Sequence, residues 1–489
     1  MKKLQQLTVL QALLIFCLTA FLIRFPFFFR DYIDHDESTF IIMGQSLIDG
    51  HLPYLELWDL KPPAVFYFFA GLIGIFGKSI FAIRLIGSLI VALTAWFTYK
   101  ISLHFFDKIS SFFSGLLCIY LLSLFGALQG VMSEHLAALP LTAGLFFLIK
   151  KQNFTFLLLS GMCFGLAIMF RLNLAYALFF IYAYILIQNG LRLQNVVKAA
   201  ILTCGSLIIF FIIATPYIFT QNTSIFISSV FEASLAYSNV DWAKMLKTLP
   251  LVIGLILLSL LSIKYLSIKG RKSDFILLII MIIGQGIMFF KGGKINGHYL
   301  IQVFPFLIIL VIAFSQKITL NNKFQKILFP IILFVLLALP VETYLEIRTI
   351  LQSKSTTGSF YNGEGHTIPR YLIQKFGKEK AKNSFFLNEH IAYWNLDSRP
   401  PTAAATHPSN IFRESVYPYL PVSQGNPEME LRYILEQIQP NFIVLDEGRI
   451  PMEKGSNTYD IFLKNLETQY IHEKEFGNNG RVKLYKRIN

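Results

Sequence analysis

Charged residues are scarce. They make up 15% of the 489 residues, where a soluble domain carries roughly 25%. Hydrophobic residues reach 54%, and the mean hydropathy is +0.56. This deficit of charge excludes an ordinary soluble chain and puts the sequence in the membrane class. Cysteine is scarce too. Cys17, Cys118, Cys163 and Cys204 all fall inside apolar runs, and none forms a Cys-x-x-Cys pair. They carry no disulfide or zinc signal and read as small packing residues. The first apolar stretch lacks the small-residue cleavage site of a signal peptide, and more such stretches follow. It reads as an uncleaved span with Lys2 and Lys3 held in the cytoplasm. Internal repeats are lacking as well, which weighs against the many transporters built from duplicated halves.

Acidic residues are the rarer charge, with 29 Asp and Glu against 43 Lys and Arg, for a net charge of +14. The basic excess lies largely in short loops between apolar runs. That is the positive-inside pattern of a membrane protein, and it leaves nucleic acid without a role. A span needs about 20 mostly apolar residues, and by that test there are about eleven. They lie near 7–29, 80–103, 110–127, 133–149, 154–170, 174–188, 199–219, 248–264, 274–290, 298–315 and 327–342. The apolar stretch 64–77 is short and reads as an interfacial helix. With the N-terminus inside, the inner loops carry Lys100 and Lys108, Lys150 and Lys151, then Arg192 and Lys198. Further inner loops carry Lys264, Lys269, Arg271 and Lys272, then Lys317, Lys323 and Lys326. This register puts 30–79, 128–132, 171–173, 220–247 and 291–297 outside, together with the tail.

The expected fold is therefore a polytopic α-helical membrane protein, N-terminus in and C-terminus out. Residues 1–342 form the membrane domain, and residues 343–489 form a small extracytoplasmic α/β domain. In that tail, Pro369–Phe376 and Glu428–Gln439 have helical periodicity, while Ser384–Leu387, Phe442–Leu445 and Val482–Tyr485 read as strands. It contains no G-x-G-x-x-G, P-loop or metal-spaced His/Cys set.

Ionisable groups crowd into one polar stretch, Asp31 to Pro63, between two apolar segments. Asp34, His35, Asp36 and Glu37 stand in succession, and Lys61-Pro62-Pro63 closes the stretch. A carboxylate here could take a proton from a hydroxyl attacking a sugar's anomeric carbon. A phosphate leaving group would need little acid help. The plainer reading is structural. Phe40, Gly44, Leu47 and Ile48 share a helical face, so a helix begins near Glu37, and Asp36 could serve as its N-cap. The two prolines hold Lys61 in extended backbone, where it could meet a lipid phosphate or merely snorkel. Tyr54 and Trp58 read as interfacial aromatics. The Asp/Glu/His cluster could hold a divalent ion, but no spacing demands one, and no cofactor is implied.

These residues carry a resemblance. Asp36-Glu37 is followed by Gly50-x-x-Pro53-Tyr54, by Trp58-Asp59, and by Lys61-Pro62-Pro63. A Phe76-Gly77 turn then precedes Arg84-Leu85. The pattern resembles the bacterial GT-C glycosyltransferases of the protein O-mannosyltransferase and aminoarabinose transferase branch. It is densest over residues 30–100 and returns at His298, Tyr299 and Pro305. The resemblance implies inverting transfer from a polyprenyl-phosphate sugar outside the cytoplasm to a lipid, glycan or protein acceptor. It implies that Asp36 is the catalytic carboxylate and that Lys61 contacts the carrier phosphate. Glu134 resembles the family's second acidic position, and Glu37 joins it in shaping the acceptor pocket. The remaining candidates for the carrier phosphate are Arg84, Arg171, Lys294 and His298 with Tyr299. Arg84 or Arg171 could instead pair with Glu134. Lys291 and Lys294 sit in a glycine-rich outer loop that could clasp a phosphate or act as a connector. The rival reading is a lipid or sugar transporter or flippase, which predicts charges along a path through the membrane.

Overall fold

The computed structural model describes residues 5–188, 190–237, 242–265, 272–293, 295–315, 335–405, 411–477 and 480–488. Lys294, the basic inner-loop residues Lys269, Arg271, Lys317, Lys323 and Lys326, and the first half of the expected span 327–342 lie outside the described residues.

Among the described residues, five helices are long and apolar enough to cross a membrane: Val9–Phe29, Ile80–Phe105, Leu193–Phe219, Trp242–Ser262 and Lys272–Gly292. Shorter apolar helices fill other expected spans, among them Lys108–Leu121, Phe154–Phe170, Leu172–Ile187 and Phe304–Phe314. Ser133–Lys150 is helical throughout. The protein is thus a mostly helical, multi-pass membrane protein. Local chemistry sets several ends. Asp107 accepts the N–H groups of Ile109 and Ser110 at the start of one helix, and Asn153 accepts that of Phe156 at another. The expected span 110–127 stops at Leu121. Its continuation is an irregular turn whose carbonyls at Leu122, Leu128, Gln129 and Gly130 all accept hydrogen bonds from the buried guanidinium of Arg24. A single cation in the first span thereby satisfies backbone that helix geometry has released.

The chain forms two compact units. The first comprises residues 1–28, 84–215 and 238–346, and the second residues 29–83, 216–237 and 347–489. In the first, small residues let helices approach closely. A Cβ on Gly161 would lie 2.2 Å from the Leu202 carbonyl oxygen, and one on Gly165 would lie 2.7 Å from the Ser206 backbone. Ser206 Oγ donates to the Gly161 carbonyl at 2.9 Å. This is the small-residue packing that membrane helices use in place of a hydrophobic driving force.

In the second unit the tail builds a four-stranded mixed sheet. Its strands are β1 (Ser384–Phe386), β2 (Phe442–Asp446), β3 (Tyr470–Phe476) and β4 (Val482–Arg487). They lie in the order β1-β2-β4-β3, with β1 parallel to β2 and the other pairs antiparallel. The helix expected at Pro369–Phe376 begins earlier, at Glu364. The last helix before β3 spans Asn457–Gln469. The polar stretch of the sequence belongs to this unit. It forms a helical hairpin, His35–Ile48 against Ala64–Phe76, the latter being the stretch read as interfacial. Gly44 is the contact: a Cβ there would fall 2.8 Å from Phe69 Cβ and 2.9 Å from Ala70 N.

The tail is stitched to the hairpin through backbone. Trp58 N–H donates to Ala403 O at 2.7 Å, and Ala405 N–H donates to Trp58 O at 3.0 Å. Trp58 and Tyr54 are completely buried, so the expectation of interfacial aromatics is corrected. The Trp58 indole donates to Ser229 Oγ at 3.1 Å, and Tyr54 stacks on Tyr217 with ring centroids 6.2 Å apart. Flanking elements of this unit cover both rings, which a hydropathy reading of the loop alone could not anticipate.

Candidate active site

The helix that carries the crowded acids begins two residues earlier than its apolar spacing suggests, at His35. Its N-cap is Asp34, whose Oδ1 accepts the Asp36 N–H at 2.9 Å. The capping role considered for Asp36 therefore falls to Asp34. Asp36 sits in the first turn, where the helix dipole favours a carboxylate. Its Oδ2 accepts a hydrogen bond from Lys61 Nζ at 2.7 Å. The Lys61 backbone is fixed by Tyr54, whose hydroxyl donates to the Lys61 carbonyl. The ammonium also lies 5.4 Å from the centre of the Phe40 ring. Glu37, one residue on, is buried. His35 Nε2 stands 3.7 Å from Asp36 Oδ1, and its Nδ1 stands 3.9 Å from Asp34 Oδ1. Asp34, His35 and Asp36 offer one ligand atom each, all within 4.8 Å of one another, and so could hold a metal ion.

The tail holds the root of this helix. His390 is buried, with Nε2 at 3.1 Å from both Thr39 Oγ1 and the His35 carbonyl, and Nδ1 at 3.0 Å from the Asn388 carbonyl. Burial pushes its imidazole down to about 4. Upstream, the Asp31 carboxylate accepts the N–H groups of Tyr32 and Gly365. Burial first, then the neighbouring Glu364, raises Asp31 to about 6. Burial, with Asp31 and Glu364 adding to it, raises Glu389 to about 8.

The first unit holds a second cluster. Glu134 opens the helix Ser133–Lys150 and is fully buried. Its Oε1 pairs with Arg171 NH1 at 2.8 Å and lies 3.8 Å from His298 Nε2. Ser133 Oγ donates to Glu134 Oε2 at 3.1 Å. The Arg171 guanidinium lies 4.9 Å from the centre of the Tyr299 ring. Of the two arginines weighed as partners for Glu134, it is thus Arg171 that forms the pair. Arg84 is completely buried and donates to the Phe27 carbonyl, which ties its helix to the first span.

Residues 60–219 match the family model of the dolichyl-phosphate-mannose-protein mannosyltransferases. No curated protein sequence matches the chain. Among solved structures, the chain is similar to ArnT from Cupriavidus metallidurans in the apo state. The identity is 14% and the TM-score 0.60, with 97% of each chain covered. The same enzyme bound to undecaprenyl phosphate gives a TM-score of 0.55 at 14% identity, over 97% of this chain and 98% of that one. The oligosaccharyltransferase AglB from Archaeoglobus fulgidus, in complex with an inhibitory peptide and a dolichol-phosphate, gives 0.52 at 12% identity. That match covers 98% of this chain and 74% of AglB. At such identities the likeness shows the fold, and the family match spans residues 60–219.

The chain has the fold of ArnT.

The structure brings together two of the expected site residues, Asp36 and Lys61, and places Glu37 beside them in sequence. It brings Glu134, Arg171, His298 and Tyr299 together in the other unit. Sequence reasoning overlooked three supporting residues. Arg24 could have been flagged as a lone cation among apolar residues, where an unsatisfied charge is costly. Asp31 and His390 gave no such sign, because each acquires its role from a partner more than 300 residues away.

Proposed function

We propose that the protein moves a sugar from a polyprenyl-phosphate carrier to an extracytoplasmic acceptor by a single inverting displacement, with Asp36 as general base. The Asp36–Lys61 contact at 2.7 Å is the observation that carries this reading. The ammonium holds the carboxylate in place by a charge-assisted hydrogen bond. In the reaction, the acceptor hydroxyl oxygen bonds to the anomeric carbon, the bond from that carbon to the phosphate oxygen breaks, and the hydroxyl proton passes to Asp36. The carrier leaves as polyprenyl phosphate. Lys61 then exchanges its carboxylate partner for the phosphate, as a compact point charge can. The bound undecaprenyl phosphate of the ArnT structure supports this class of donor.

Glu37 shapes the acceptor side of the loop helix. Glu134 and Arg171 form a buried pair that stabilises the fold, and Arg84 and His298 with Tyr299 remain candidates for carrier binding. The basic inner loops support an arrangement of about eleven spans, N-terminus in and tail out. The crowding of acids in one polar loop, rather than along a path through the membrane, favours transfer over transport. The test is turnover of a radiolabelled panel of polyprenyl-phosphate sugars by the purified protein, beside Asp36→Asn. One donor should turn over and the variant should be inert. A well-folded Asp36→Asn that still transfers sugar overturns the assignment.

A further inference from the structure

The loop helix carries Asp36 in its first turn and a cavity of about 320 Å³ at its other end, formed entirely within the second unit. The floor is apolar, made by Ile42, Leu57 and the buried Trp394. The rim is polar and mixed in sign. Asp49 and Asp397 supply two negative charges, and Lys78 and Arg399 supply two positive ones.

These rim groups are held in place by partners on one side and open to solvent on the other. Gln45 accepts the Trp394 indole N–H at 3.0 Å and donates to Asp49 Oδ1 at 3.0 Å. Lys78 donates to the Trp394 carbonyl at 2.8 Å and pairs with Asp397. Arg399 pairs with Glu56 and lies 3.0 Å from His51 Nε2. The side chains of Lys78, Asp397 and Arg399 remain between 36% and 52% exposed. An ammonium has three donors, a guanidinium five and a carboxylate several acceptor sites, so each retains capacity for a ligand.

This lining selects a chemistry. Charge of both signs in equal number gives no net attraction for a phosphate or a cation. An apolar floor under a ring of fixed donors and acceptors fits a neutral polyhydroxylated ring, which has a hydrocarbon face and a hydroxyl edge. At 1.5 Å per residue, Gln45 lies about 14 Å and Asp49 about 20 Å along the helix from Asp36. A sugar held there is too far away to be the one transferred. We infer that this cavity is a remote acceptor subsite, which holds a neutral sugar residue of an acceptor glycan several units away from the reacting hydroxyl. The inference rests on the reading of Asp36 as the base of a sugar transfer.

The experiment is saturation-transfer NMR on the full-length protein in lipid nanodiscs. The neutral probes are mannotriose, maltotriose and chitotriose, with glucose 6-phosphate as the charged contrast. At least one neutral trisaccharide should bind, and glucose 6-phosphate should bind no better than it does. Asp49→Leu and Arg399→Leu, each melting as the wild type does, should weaken that binding at least about tenfold. Asp49→Asn is the second variant should Asp49→Leu fail to fold. No binding by any neutral probe up to tens of millimolar overturns the inference. So does binding that survives these substitutions unchanged, or tighter binding of the phosphate sugar. Failure of the underlying reading is separable. If a trisaccharide binds but Asp36→Asn still transfers, the catalytic assignment falls and the cavity stands as a glycan site. If Asp36→Asn is inert and no trisaccharide binds, the subsite falls and the catalytic assignment stands.

Discussion

Two carboxylate–cation pairs among the expected site residues are of nearly equal length, one in each unit. Asp36 meets Lys61 at 2.7 Å, and Glu134 meets Arg171 at 2.8 Å. Their surroundings differ. The side chains of Asp36 and Lys61 are 15% and 17% exposed, whereas Glu134 is fully buried and Arg171 is 8% exposed. The first pair joins a point charge on a flexible stem to a residue in the first turn of a helix. It can open to admit a phosphate on one side and a hydroxyl on the other. The second joins a planar guanidinium to a carboxylate that Ser133 also engages, against the face of Tyr299. Opening it would strand two charges away from water. Contact distance therefore says little about role, and access to exchange partners says more.

Four substitutions would sharpen or break this contrast. Asp36→Asn should lower sugar transfer about 10²–10⁴-fold while leaving the melting temperature unchanged, as followed by donor turnover and a thermal scan. Glu134→Gln should do the reverse. It leaves the Arg171 charge buried without its counter-ion and should cost about 3–5 kcal/mol of stability, with activity falling only as the folded fraction falls. Adding Arg171→Met to Glu134→Leu should recover much of that loss, because a neutral pair carries no desolvation penalty. A Glu134→Gln protein that is stable yet inactive would instead move Glu134 into the chemistry. Lys61→Met should raise the donor KM about tenfold, the loss of one exposed phosphate contact of about 1.4 kcal/mol, and should change kcat less.

The smallest effect concerns pH. Glu389 and Asp31 have folded-state values raised to about 8 and about 6. Between the ordinary carboxyl range and those values the folded state binds more protons than the unfolded one. Their contribution to stability is present at acidic pH and is lost as pH rises through about 6 and then about 8. His390, pushed down to about 4, acts oppositely and lowers stability as pH falls from its ordinary value near about 6.5. Glu389→Gln should therefore narrow the gap in melting temperature between pH 6 and pH 9. The gain at pH 9 should be about 2–4 °C for each kcal/mol recovered. An unchanged gap would mean that Glu389 does not titrate with unfolding.

Much of the plan was legible in the sequence because its signals are local. Hydropathy runs gave helices at most of the expected spans, since an apolar segment in lipid must satisfy its own backbone. The acids before Phe40 and the Lys-Pro-Pro motif marked the loop that forms the Asp36–Lys61 pair. The three strands read from the tail also formed, at Ser384, Phe442 and Val482. The strand Tyr470–Phe476 was overlooked because its pattern Tyr-Ile-His-Glu-Lys-Glu-Phe is dominated by charge, as suits a strand at the edge of its sheet. The helix start was misplaced because Asp34 and Asp36, both able to cap, differ in backbone geometry rather than composition. Burial of Tyr54 and Trp58 was invisible for a different reason. Their covering residues, Tyr217, Ser229 and the backbone near Ala404, lie far along the chain.

The backbone ladder at Trp58 has a consequence for biogenesis. The hairpin that bears Asp36 is among the first 83 residues made, yet the strand-like segment that pairs with Trp58 is near residue 404. At about 5–20 residues per second, synthesis separates the two by roughly a quarter-minute to a minute. Throughout that interval Trp58 has an unpaired backbone and an uncovered ring. A nascent chain released before its tail would thus retain its membrane helices but not a completed Asp36 loop. Completion of the last third of the polypeptide is, in effect, the step that finishes this loop.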